Sequence, residues 1–136
     1  MSEDHEAIRH LIYTYAFHLD KREYARVAAL LADATVSLSW PAEKVEEKGV
    51  RGVEAIERFY SNALDGRRPS RHVITNVIID LDESGEAASV YSYLTSVGHP
   101  PQPPSVLLSG HYEDRFTKVD GEWRFSRKDI IMELPA

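Results

Sequence analysis

The stretch Arg71-His-Val-Ile-Thr-Asn-Val-Ile-Ile79 decides how this chain folds. Its density of β-branched residues suits a pleated, half-buried surface, so it opens a strand predicted over Arg71 to Leu81. The sequence downstream repeats that character. A turn at Asp82-Glu-Ser-Gly85 leads into Ala87 to Val97, a long link follows, and Val106 to Lys118 is joined through Asp120-Gly121 to Trp123 to Glu133. Four strands in series joined by hairpins make an antiparallel meander. The link Gly98-His-Pro-Pro-Gln-Pro-Pro104 holds four of the seven prolines, cannot pair within a sheet, and is expected to project as a stiff loop at one edge.

Upstream, the pattern changes period. Ile8, Leu11, Ile12, Tyr15, Ala16 and Leu19 recur at i, i+3, i+4, i+7, i+8 and i+11, which predicts a helix from about Ser2 to Leu19. Asp20-Lys-Arg-Glu23 has the form of a capping box for a second helix carrying Tyr24, Val27, Ala28 and Leu31. Thr35-Val-Ser-Leu-Ser-Trp40 alternates as a strand that Pro41 ends, and the charged residues 41 to 51 read as a loop. Val53, Ile56, Phe59, Tyr60 and Ala63 then mark a third helix ending near Asp65-Gly66. The expected fold is α+β, with three helices on one face of a curved, mostly antiparallel sheet. Such a cone encloses space for a small apolar ligand.

With 136 residues and 43% hydrophobic content, the chain is expected to form one domain over 1–136. A net charge of −6 argues against a nucleic-acid footprint, and the local run Arg67-Arg68-Pro69-Ser70-Arg71 reads as a solvated loop. The absence of cysteine removes disulfides, a thiolate nucleophile and Cys-based zinc sites. The acidic start Met1-Ser-Glu-Asp-His-Glu6 lacks the form of a secretory signal, and no run approaches the roughly 20 apolar residues of a membrane span. A soluble, cytoplasmic protein is expected. The six histidines show no ligand spacing, and there is no Gly-rich phosphate loop or dinucleotide fingerprint, so no metal and no cofactor are expected.

Asp20 and His72 are the pair that points to chemistry. A carboxylate that holds an imidazole in one tautomer leaves the other ring nitrogen as a base effective near neutrality. Each has an ordinary structural reading beside this one: Asp20 as a helix N-cap, His72 as a packed strand histidine.

The element order, with Leu19-Asp-Lys-Arg-Glu-Tyr24, Arg71-His-Val-Ile-Thr-Asn76 and Val119-Asp-Gly-Glu-Trp-Arg-Phe125, resembles the SnoaL-like branch of the NTF2-like superfamily over nearly the whole chain. That branch includes scytalone dehydratase, bile-acid dehydratases and hexachlorocyclohexane dehydrochlorinase. The resemblance implies a cone-shaped, cystatin-like fold, a homodimer, and Asp20 and His72 as orienting carboxylate and base. The chain departs from scytalone dehydratase at Leu19, where that enzyme has tyrosine, and offers Gly98 and His99 near the position of its second catalytic histidine.

Further substrate contacts are expected among Tyr13, Tyr60, Asn76, Trp40, His99 and Arg127. A phenol of Tyr13 or Tyr60 can polarise a carbonyl, and Asn76 shares strand parity with His72. His99 stands beside the Pro-rich link. Arg127 shares parity with Trp123 and Phe125, although a surface salt bridge to Asp114 or Asp129 is its simpler expectation. The expected function is a cofactor-independent lyase or isomerase of dehydratase type, acting on a small apolar polyketide, terpenoid or steroid-like substrate. Two other readings stand beside it: a non-catalytic binding or assembly subunit, and a polyketide cyclase using the same base.

Overall fold

The computed structural model describes residues 2–40, 45–98 and 102–134, with the side chains of 45–48 and 134 excepted. Helix α1 spans Glu3–Asp20, α2 spans Tyr24–Leu30 and α3 spans Val53–Leu64. The strands are β1 (Thr35–Trp40), β2 (Val45–Arg51), β3 (Ser70–Leu81), β4 (Ala87–Gly98), β5 (Ser105–Val119) and β6 (Glu122–Leu134). They form one sheet in the order β2-β1-β6-β5-β4-β3, antiparallel throughout except where β1 lies parallel to β6.

The predicted stripe of α1 is the buried one. Ile8, Ile12, Tyr15, Ala16 and Leu19 pack with Val27 and Ala28 of α2, Ile56 and Tyr60 of α3, and the inward residues of β4, β5 and β6. Ser2 caps α1, its hydroxyl accepting the His5 backbone N–H at 3.2 Å. No helix among the described residues is long and apolar enough to cross a membrane.

Two sequence expectations are corrected. Residues 45–51, read as loop, pair antiparallel with β1 as an edge strand. Their charges obscured the pattern because an edge strand needs no continuous apolar face, and charge there discourages pairing with other chains. The capping box at Asp20 does not form: Asp20 closes α1, and α2 begins after Glu23, which makes no side-chain cap bond. Arg22 separates the helices instead, at φ 59°.

Bulges bend the sheet and reset its faces. Asn76 and Val77 of β3 stand opposite Ser92 alone between the Thr75–Tyr93 and Ile78–Tyr91 pairs. In β6, Ser126 is the extra residue between the Phe116–Phe125 and Arg115–Arg127 pairs. Both displace residues that strict alternation assigned to the pocket.

Candidate active site

The helices and the concave side of the sheet enclose a cavity of about 450 Å³. Its wall is mostly apolar, built from Leu19, Leu38, Trp40, Phe59, Leu94, Leu108, Ile130 and Met132. His72 and the phenols of Tyr15, Tyr60 and Tyr112 are set into it, and Asn62 and Arg67 contribute from the end of α3 and just beyond.

His72 sits at the start of β3, paired with Ser96, on the parity that faces inward. Its ring Nδ1 is 2.8 Å from Asp20 Oδ1, and its backbone N–H donates to the same oxygen at 2.8 Å. The imidazole is nearly enclosed, 7% exposed, while Asp20 is 24% exposed. An ionised carboxylate accepts only, so this geometry puts the proton on Nδ1 and leaves Nε2 with its lone pair. The last turn of α1 thus carries both the buried stripe and the residue that orients the histidine.

The local chain holds Asp20 in place. Arg22 adopts the left-handed conformation just past α1, its N–H returning to the Leu19 carbonyl at 3.0 Å. Its guanidinium reaches across to the carbonyls of Leu64, through Nη1, and Arg68, through Nη2 at 3.1 Å. Three elements around the cavity, the α1 end, the α3 end and the lead into β3, are tied by one side chain.

Opposite faces of the phenol group differ in what they touch. The Tyr15 and Tyr60 hydroxyls are 2.8 Å apart, and the Tyr15 ring meets those of Tyr60 and Tyr112 edge to face at centroid distances of 6.0 and 5.9 Å. Burial pushes the pKa values of Tyr15, Tyr60 and Tyr112 well above the ordinary tyrosine value, so all three are neutral hydrogen-bond donors at physiological pH. Behind them lies Lys128, whose Nζ donates to both Asp114 oxygens at 3.0 Å. Burial pushes the Asp114 carboxyl up and the Lys128 amine down, and each partner's charge opposes its shift.

Of the other sequence candidates, Tyr60 and Trp40 line the cavity. Tyr13 does not: it lies on the outward side of α1, 48% exposed. Asn76 is exposed in the β3 bulge at φ 54°, a conformation asparagine tolerates, and the bulge takes it off the parity of His72. Arg127 points outward because Ser126 is the extra residue before it, and it pairs with Asp129 at 2.9 Å. His99 lies outside the described residues. Sequence reasoning missed the clustering of Tyr15 and Tyr112 and the buried pair beneath them. Asp114, expected as a surface partner for Arg127, is instead buried against Lys128; its place between Tyr112 and Phe116 on the buried parity of β5 was the signal for this, whereas the Ser126 bulge hid Lys128.

A SnoaL-like domain model matches residues 1–129. The chain belongs to the SnoaL-like domain family. Among solved structures, this SnoaL-like domain is similar to a candidate scytalone dehydratase from Novosphingobium aromaticivorans, at 28% identity over 95% of this chain and 83% of that one, with a TM-score of 0.74. It is similar in fold to a cystatin-like protein of unknown function from Nostoc punctiforme, at 22% identity over 99% and 95% of the two chains and a TM-score of 0.80. LinA is similar in fold too, at 19% identity over 95% and 85%, with a TM-score of 0.75. No curated protein matches the SnoaL-like chain in sequence. The cone-shaped NTF2-like architecture expected from its element order is therefore the observed one.

Proposed function

We propose that this SnoaL-like domain is a cofactor-independent lyase or isomerase whose base is His72, oriented by Asp20. The observation that carries the reading is the 2.8 Å contact between Asp20 Oδ1 and His72 Nδ1, with the imidazole in the wall of an apolar cavity. Similarity to the candidate scytalone dehydratase supports a dehydration.

The reaction runs from a substrate with an acidic C–H next to a carbonyl and a hydroxyl on the following carbon. His72 Nε2 takes the proton, and the C–H electron pair moves toward the carbonyl oxygen, where a phenol hydroxyl stabilises the charge. The electrons then return to form the double bond as the hydroxyl leaves with the C–O pair. The imidazolium gives back its proton, so the leaving group departs as water. Without a leaving group the same proton return at a different carbon is an isomerisation. The apolar wall favours a small ring compound of polyketide, terpenoid or steroid-like character.

The test is a screen of small cyclic β-hydroxy ketones and their unsaturated isomers, monitored by the ultraviolet absorbance of the conjugated product. Turnover that disappears in His72→Ala supports the reading. Turnover that survives in both His72→Ala and Asp20→Asn sinks it.

The convex face of the sheet supports a homodimer. Val73, Ile78, Tyr91, Tyr93 and Val106 are exposed there, joined through the Ile78–Tyr91 pair and the pairing of β3, β4 and β5. Contiguous apolar exposure of this kind is the usual mark of an interface.

A further inference from the structure

The cavity lining is charged at one place only. Among the described residues Arg67 is its permanent cation, and no aspartate or glutamate lines it. Asp20 stands behind His72, outside the lining, with its Oδ1 taken by that residue. Asn62 and Arg67 are also the exposed members of the lining, so they mark where the cavity opens to solvent.

The chain around Arg67 is fixed, while its guanidinium is left over. The Arg67 backbone N–H donates to the Leu64 carbonyl at 3.0 Å, and Gly66 makes the turn between them at φ 76°. On the other side the Arg68 carbonyl accepts from Arg22 at 3.1 Å, and the Arg68 guanidinium donates to Ser105 Oγ at 3.1 Å and to the Pro103 carbonyl at 2.6 Å. Asp65, the nearest acid along the chain, accepts from the Tyr24 hydroxyl at 2.8 Å. Among the described residues no ion pair or side-chain hydrogen bond engages the Arg67 guanidinium. In a chain of net charge −6, Arg22, Arg67 and Arg68 thus gather positive charge at this rim. A positive rim over low-dielectric walls draws anions, and the planar fork of a guanidinium matches a carboxylate with two parallel hydrogen bonds.

We propose that Arg67 is a specificity-determining residue that takes a carboxylate of the ligand. The ligand class is a small ring acid, its ring inside the apolar cavity and its carboxylate at the mouth. Asn62, on the same rim, offers a further amide donor. An anion seated deeper in the cavity would lose its hydration against apolar side chains, whereas at the rim it keeps part of that hydration and gains the arginine. This rests on the reading that the cavity is the substrate site, and it adds the charge of the substrate and the end by which it is held.

The test is calorimetric titration of the full chain at neutral pH with cinnamate and with cinnamamide, which share ring and shape and differ in charge. Cinnamate should bind the unaltered chain about tenfold more tightly than the amide. Arg67→Met breaks no side-chain bond of the fold, and it should remove that preference while leaving the amide's Kd unchanged. Arg71→Met alters the net charge equally from an exposed position of β3 outside the cavity lining, and it should keep the preference in full. The proposal is overturned by equal binding of acid and amide to the unaltered chain, or by no binding of cinnamate. It is also overturned if Arg67→Met keeps the preference or weakens both probes alike, or if Arg71→Met loses as much as Arg67→Met. The readout is independent of turnover. An Arg67-dependent preference without any elimination activity removes the proposed reaction and keeps the acid-binding rim, whereas His72-dependent turnover without the preference removes only the rim.

Discussion

Asp20 Oδ1 accepts both the backbone N–H and the ring Nδ1–H of His72, each at 2.8 Å. One oxygen thereby fixes where β3 starts against the end of α1 and how the imidazole is turned. Structure and chemistry share the contact, so substitutions on its two sides differ in effect. His72→Ala keeps the backbone bond and removes the proposed base, and is expected to lower kcat by about 10²- to 10⁴-fold with little change in Tm. Asp20→Asn can present its amide NH₂ where an acceptor is needed, so it should lose activity and some stability together. Steady-state kinetics beside thermal melts check this, and an Asp20→Asn protein with full kcat ends the orienting role.

Tyr60→Phe removes one hydroxyl from the Tyr15–Tyr60 hydrogen bond while keeping the ring that packs on Phe59 and Tyr15. If that hydroxyl works on the transition state, kcat should fall by about 10²-fold with KM nearly unchanged. A rise in KM alone assigns Tyr60 to ground-state binding.

Much of this is legible in the sequence alone. The α1 stripe and the β-branched run at His72 follow directly from period, because each element buries one face and the buried face sets the spacing. Asp20 was ambiguous for a physical reason: a carboxylate at a helix junction with glutamate three residues on satisfies a local pattern, and only a partner 52 residues away reveals that its oxygen is used elsewhere. Asn76, Arg127 and Lys128 were misplaced or missed through a single cause. Each lies in or beyond a β-bulge, and one extra residue exchanges the inner and outer faces of everything that follows.

The convex face gives a third prediction. If Val73, Ile78, Tyr91, Tyr93 and Val106 meet a second copy of the chain, Ile78→Lys should convert a dimer to a monomer, because Ile78 is 59% exposed in the isolated chain and lysine there places a charge in the interface. Light scattering at micromolar concentration reads the mass directly. A monomer in the unaltered protein removes the dimer.

Breaking the buried pair and replacing it should have opposite consequences. Asp114→Ala strands the Lys128 ammonium against three aromatic rings, and a loss of about 3–5 kcal/mol is expected in urea unfolding. Asp114→Leu/Lys128→Met strands nothing and should be close to neutral. Equal destabilisation by both would show that the site depends on packing shape and not on charge compensation.

Asp4 ties the first turn of α1 to the far end of the sheet, accepting from the Trp123 indole at 2.9 Å and from Lys118 at 3.1 Å. The indole hydrogen bond first, then Lys118, hold its carboxyl below the ordinary value of 3.8. A depressed acid releases its proton more readily in the folded chain than in the unfolded one. Between the two acid constants the unfolded chain binds more protons, so stability falls as the pH drops below 3.8 toward the folded-state constant. Above 3.8 the contribution is fully present and does not change with pH. Asp4→Asn should therefore be less stable than the unaltered chain at neutral pH, and the gap should narrow as acid removes the advantage of the carboxylate. Urea unfolding followed by tryptophan fluorescence at neutral and acid pH measures that gap, and a gap that does not narrow excludes Asp4 as a source of the acid sensitivity.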